Sequence, residues 1–305
     1  MEIYLDHNVI DDISKGILSV QDSDQITWIY SNENFNEIKR AGDRRFLKVL
    51  GDLKARKIEL ILNERFQITG EARLQEFLDP ELLYENWLDT VGEVQVDEQM
   101  NRELMGRLFG AGNQDSILSY PDRFRSQIAA LLEPHGLYNE QTKKKVDGIA
   151  SELKAFVSGS LQEIGELEKT REAFGTHKGR AGNLQAHENP LEEIWKLIRS
   201  SCGNLTSEQF FGFDPIDKQG YKAWPLYLGI VGCHTALNFL GYKPDKGLSK
   251  VSDLPGILSD AVHIGMSAYC GAVLSQDKKF CSKARAIYRY KNIGTEVIEL
   301  KADNG

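Results

Sequence analysis

Asp6, Glu37, Asp260 and Asp277 are the residues of this 305-residue chain best placed to do chemistry together. Asp6 closes the apolar run Glu2–Leu5, and Asp277 follows the apolar run 272–274 by way of Ser275 and Gln276. Read as strands of one parallel sheet, the two runs put both carboxylates beyond its carboxyl ends, where open α/β sheets bind ligands. Glu37 falls in the first turns of a helix that follows the extended run 26–30, and Asp260 opens a helix that precedes Ala272. Four anions converging on one volume repel and raise one another's pKa values. A hard cation taking oxygen ligands, Mg2+ or Mn2+, removes that conflict.

The elements that must hold these residues follow from periodicity. After Asp6, Asn8 can cap a helix on which Val9, Ile10, Ile13, Ile17 and Leu18 repeat at helical spacing. Ser31 and Asn32 end the second strand and cap the helix carrying Glu33, Phe35, Glu37 and Ile38. A third helix over 44–55 and a strand over 58–62 continue the alternation, which predicts a parallel sheet covered on both faces. From 65 to 243 the pattern becomes helical. Its clearest stretch, 146–167, places Val146, Ile149, Leu153, Phe156, Val157, Leu161, Ile164 and Leu167 three or four residues apart. A Gly- and charge-rich stretch over 175–183 reads as a loop, and helices resume over 191–198 and 225–240. The α/β rhythm returns with a helix over 260–269, the short strand 272–274, a helix over 279–290 and a last strand over 296–300.

Composition sets the outer bounds. Apolar residues make up 41% and charged residues 27%, ordinary for a globular protein. The most apolar window, Leu226–Leu240, contains His234 and Asn238 and is too short to span a bilayer, so it reads as a buried helix. The start of the chain has neither a basic region nor a long apolar stretch, so no signal peptide is expected. Cys202, Cys233, Cys270 and Cys281 lack paired spacing, which disfavours a zinc or disulfide framework and fits a reducing cytoplasm. The net charge of −8 weighs mildly against a nucleic-acid partner.

In the flanks, the order of these motifs resembles the PIN domain nucleases. The residues that carry the resemblance are Ile3-Tyr4-Leu5-Asp6-His7-Asn8, Tyr30-Ser31 with Glu37-Ile38, Asp260-Ala261-Val262-His263-Ile264, and Val273-Leu274-Ser275-Gln276-Asp277-Lys278-Lys279-Phe280. The resemblance implies a PIN-like α/β domain over 1–64 and 244–301, interrupted by a mostly α-helical insertion over 65–243 that has no counterpart in the small members of that family. It implies that Asp6, Glu37, Asp260 and Asp277 bind Mg2+ or Mn2+, with Asn8 and Ser275 steadying the site. It further implies a metal-activated water cutting a phosphodiester, with RNA favoured and DNA the alternative. Toxin-like or defence activity, and an inhibitory partner or second copy docking through the insertion, are expectations of the same kind.

Plainer readings compete residue by residue. Asp260 beside a helix start can be only a cap, and Glu37 shares a helical face with Glu33 as exposed acidic pairs do. His263, one turn after Asp260, could face the site but reads more simply as a satisfied packing histidine, and His7 as lying on the side away from Asp6. Lys278, Lys279, Lys283 and Arg285 follow Asp277 with no acidic residue through Lys291; they read either as phosphate contacts or as a solvated basic helix. A haloacid-dehalogenase-type phosphatase also begins with strand-Asp, but it needs a second Asp where this chain has Asn8. A dinucleotide-binding domain needs a Gly-rich first turn, absent from Asp6-His7-Asn8-Val9. The non-enzymatic alternative is a PIN-like scaffold that binds protein through the insertion.

Overall fold

A computed structural model describes residues 1–20, 25–93, 106, 109, 118–163, 167–177, 179–248 and 250–301. Its six strands, β1 (Glu2–Leu5), β2 (Thr27–Tyr30), β3 (Arg56–Leu62), β4 (Ile68–Leu74), β5 (Ala272–Ser275) and β6 (Glu296–Glu299), form one sheet of order β4-β3-β2-β1-β5-β6. All neighbours are parallel except β3 and β4, which form an antiparallel hairpin. The chain builds β2 and β3 to one side of β1, then returns to place β5 and β6 on the other. The order therefore reverses between β1 and β5, and the crevice that such a reversal opens lies at their carboxyl ends.

The strands alternate between two cores, because successive side chains point to opposite faces. Ile3, Leu5, Trp28, Tyr30, Ala272 and Leu274 face one core. Helices α1 (His7–Ser14), α2 (Asn32–Ala41), α3 (Arg45–Asp52) and α4 (Pro80–Glu93) cover it with Val9, Ile10, Phe35, Ile38, Phe46, Leu47, Leu50 and Tyr84. Tyr4, Ile29, Ile58 and Val273 face the other core. Both faces are buried, which is why these strands read as continuous apolar runs.

The chain divides into one compact unit of residues 1–95, 171–245 and 256–305, and another of residues 96–170 and 246–255. The second unit contains α5 (Tyr120–Leu132) and α6 (Glu140–Glu163), joined by the Arg125–Asp147 ion pair, with Val146, Ala150 and Val157 buried. Ile149, expected in the same stripe, is exposed instead. A short helix, α7 (Leu167–Ala173), follows.

This division corrects the single insertion expected over 65–243. Residues 68–74 extend the sheet as β4, whose alternating half-buried and exposed residues give little helical or core signal. Residues 171–245 supply the second core through α8 (Pro190–Ile198), α9 (Ser207–Phe210) and α10 (Leu226–Leu240). Ile194, Ile198, Ile230, Cys233 and Leu237 pack with Tyr4, Ile29 and Val273 in one cluster, completed by α11 (Leu254–Ser267) and α12 (Lys278–Tyr290). Without that segment this face of the sheet would keep only the cover of α11 and α12.

Candidate functional site

The site begins at the carboxyl end of β1. Asp6 is buried, and its backbone N–H bonds to Leu274 O of β5 at 3.2 Å, which locks the two strand ends together. As N-cap of α1, its Oδ1 accepts from the backbone N–H of His7 at 2.8 Å. Its Oδ2 accepts from Asn8 Nδ2 at 2.7 Å and from Ser275 Oγ at 2.5 Å. The steadying role expected of Asn8 and Ser275 therefore has direct contacts. Burial pushes the Asp6 carboxyl up, against the opposing pull of His263 and the Ser275 hydrogen bond.

Asp277 stands at the end of β5 as N-cap of α12, where Oδ1 accepts from the N–H groups of Lys279 and Phe280 at 2.6 and 3.0 Å. Ser275 links it to Asp6, since the Asp277 N–H donates to Ser275 Oγ at 3.1 Å. Asp260 lies within α11, and no described residue donates a hydrogen bond to it. Burial, then the charges of Asp6 and Asp245, push its carboxyl well above the usual range. Asp6, Asp260 and Asp277 thus share one electrostatic neighbourhood.

Glu37 differs from the other three because countercharges already surround it. Its Oε1 accepts from Ser259 Oγ at 2.8 Å and from Arg40 at 3.3 Å. Its Oε2 lies 3.1 Å from His263 Nε2 and 3.3 Å from His7 Nδ1. Burial opposes its charge, yet the His263 imidazole and the other partners hold it down at about 2. Conversely, burial disfavours the His263 cation, but Glu37 raises the ring to about 9. His263 Nδ1 lies 2.7 Å from the Tyr4 hydroxyl, which lies 2.7 Å from Ser31 Oγ. Both ring nitrogens are thus partnered, Nε2 by the Glu37 carboxylate and Nδ1 by the Tyr4 hydroxyl.

His263 is a buried, satisfied histidine as the sequence suggests, and its partners are Glu37 and Tyr4. One sequence reading is corrected. His7 turns toward Glu37, with its ring edge-on to Phe46, because α1 starts at His7 and ends the strand alternation there. The one usable sequence signal was helical spacing: His263 follows Ser259 by four residues, and both reach Glu37.

The Glu37–His263 pair gives a testable pH profile. A depressed Glu37 adds stability above its unfolded pKa near 4.5 and loses it as pH falls toward 2. A raised His263 adds stability below 6.5 and loses it as pH rises through about 9. With chelator present, the melting temperature is expected to fall between pH 6.5 and 9 in the wild type, with a clearly flatter profile in His263→Gln. Parallel profiles would place the titrating group elsewhere.

The basic helix also needs correction. Lys283 is fully buried, with Nζ 2.5 Å from Asp245 Oδ2, so it is neither solvated nor open to a phosphate. Lys279 Nζ donates to Pro244 O at 2.5 Å. Arg285 is paired with Glu299 at 2.9 Å and also donates to Val297 O. Of the four expected phosphate contacts, Lys278 is the one exposed without such a partner among the described residues. The error came from counting charge without knowing which face of α12 is buried.

Among the described residues, one group of His, Cys, Asp and Glu side chains brings its ligand atoms within 4.8 Å of one another: His234, Asp245 and Asp260. No described helix is long and apolar enough to cross a membrane. Comparison with protein-family models, curated proteins and solved structures returned no match.

Proposed function

We propose that this protein is a metal-dependent phosphodiester hydrolase of PIN-like type, acting on RNA in preference to DNA. The observation that carries the reading is the buried Asp6 at the β1/β5 reversal with Asp260 near it: burial penalises both carboxylates, and the charge of Asp6 raises Asp260 further. The donor set is all oxygen, as a hard cation requires, although the carboxylate oxygens of Asp6, Asp260 and Asp277 do not all lie within 4.8 Å of one another. Asp260 has no described hydrogen-bond donor, Asp277 commits Oδ1 alone to its cap, and Asp6 keeps a further lone pair on Oδ1, since Oδ2 already accepts from Asn8 and Ser275.

In this reading Asp6, Asp260 and Asp277 hold Mg2+ or Mn2+. Asn8 and Ser275 fix the Asp6 carboxylate by donating to Oδ2. Glu37, tied to His263, His7 and Arg40, orders the adjoining wall, and His263 supplies positive charge beside Asp6. The bound ion would lower the pKa of a water and stabilise the leaving oxygen. The RNA preference, and any toxin-like role with an inhibitory partner, rest on the sequence resemblance.

The test is hydrolysis of total RNA, single-stranded DNA and a small phosphomonoester with Mg2+, Mn2+ or chelator. Cleavage of RNA with either ion, its loss with chelator and its loss in Asp6→Asn would support the reading; release of phosphate from the monoester alone would replace it by a phosphatase. Binding has a separate readout, the melting temperature. An ion held only by the native state stabilises by about 2.7 kcal/mol at a hundredfold excess over its Kd. That rise is expected to shrink in Asp6→Asn; equal rises in both proteins would put the ion elsewhere.

A further inference from the structure

We infer that His234, Asp245 and Asp260 form a second cation site, selective for a first-row transition dication such as Zn2+ over Mg2+. His234 and Asn238 lie four residues apart on α10 and therefore share a face. A left-handed turn at Gly241 (φ +80°) brings the chain back so that Asp245 meets both of them. Asn238 grips Asp245 twice: Nδ2 donates to Oδ2 at 2.8 Å, and Oδ1 accepts from the backbone N–H at 3.0 Å. Lys283 donates to the same Oδ2 at 2.5 Å. Both side-chain donors engage one oxygen, and no described residue donates to Oδ1.

The feature that points to a ligand is the imidazole. His234 is 1% exposed and its Nε2 has no hydrogen-bond partner. Its nearest acidic atom, Asp245 Oδ2, is 3.7 Å away, beyond hydrogen-bond reach. A buried polar atom left unpaired costs roughly 1–3 kcal/mol unless something else meets it. Asp260 completes the triangle with a carboxylate that no described group engages.

Zn2+ binds imidazole nitrogen and carboxylate oxygen at about 2.0–2.2 Å, so ligand atoms around one ion sit roughly 3–4 Å apart. Asp245 Oδ2 is taken by Asn238 and Lys283, so Oδ1 is the oxygen left for the ion; one ligand atom from each of the three side chains lies within 4.8 Å of the others, close to that range. One nitrogen with two oxygens suits Zn2+, whereas Mg2+ prefers oxygen and water. Lys283 does not saturate the charge, since one ammonium faces two carboxylates. With Asn238 it orients Asp245 from outside the coordination sphere, as second-layer partners do at metal sites. Asp260 is common to this site and the sheet-edge site, but the inference requires no hydrolytic activity.

The test uses the full chain titrated with Co2+ in excess Mg2+, which saturates oxygen-only sites, and reads visible absorption and competition by Zn2+. The wild type is expected to show nitrogen-ligated Co2+ displaced by one equivalent of Zn2+. Asp6→Asn should keep that signal, while His234→Asn should weaken Co2+ binding at least tenfold or abolish it. Asp245→Asn gives an independent second loss. Pulsed EPR of the wild type with Cu2+ in excess Mg2+, reading imidazole nitrogen coupling, covers the case in which neither variant folds. The site is overturned by a wild type without nitrogen coupling, by His234→Asn with wild-type Co2+ affinity, or by a signal lost in Asp6→Asn alone. RNA cleavage enters none of these readouts, so failure here and failure of the hydrolase reading are separable.

Discussion

Asp260→Asn is expected to lower metal-dependent RNA cleavage by roughly 10³-fold while raising the melting temperature of the chelated protein. The loss follows from removing one anionic ligand of the proposed ion, whose transition-state stabilisation is worth several kcal/mol; about 4 kcal/mol corresponds to 10³. The gain in stability follows from electrostatics. Asp260 is pushed well above its ordinary range first by burial and then by Asp6 and Asp245, so its charged form penalises the fold. The sign is fixed by linkage: the penalty is absent below the unfolded pKa near 3.8, grows as pH rises from there toward the raised folded value, and is constant above it. The stabilisation by Asn should therefore be largest at neutral pH and vanish near pH 4. Thermal melts at three pH values with chelator, beside cleavage assays, check both halves. Full cleavage by a well-folded Asp260→Asn would remove this residue from the site; a lowered melting temperature would mean that its carboxylate is already neutralised.

The second large effect concerns Lys283. Lys283→Met is expected to destabilise the protein by about 3–5 kcal/mol, the cost of leaving a buried partner charge uncompensated. Lys283 is fully buried and Asp245 nearly so, at 9% side-chain exposure, and their ion pair ties α12 to the turn after α10. Lys278→Met, at an exposed position of the same helix, is expected within about 0.5 kcal/mol of wild type. Urea midpoints at constant slope measure both. The double variant Lys283→Met with Asp245→Leu should recover part of the loss, because replacing both charges removes the unpaired one. Equal midpoints for Lys283→Met and wild type would show that the ammonium is dispensable.

Much of the candidate sheet-edge site is legible in the sequence. Asp6 and Asp277 each follow an apolar run short enough to be one strand, and strand ends place their successors at an edge whatever else the fold does. Asn8 and Ser275 were legible for the same reason, being two residues from these acids at the same edge. The α/β rhythm of the flanks was readable because strands buried on both faces are continuous apolar runs and their covering helices keep a 3.6-residue stripe.

What stayed hidden depends on which face each residue shows to which neighbour. Lys283 has the same composition signal as Lys278, but α12 rotates Lys283 inward against Asp245 and leaves Lys278 in water. Glu37 and His263 are 226 residues apart, and nothing local in either segment marks them as partners. Hairpin strand β4 and the segment 171–245 read as insertion because their apolar residues match the sheet only once it is assembled. Where strands end, and which acids stand at those ends, is written in neighbours along the chain. Which acids are neutralised, by His263 or Lys283, and which remain uncompensated depends on the assembled fold. That distinction is set by burial and through-space charge, which fall off over a few ångströms and take no account of separation in sequence.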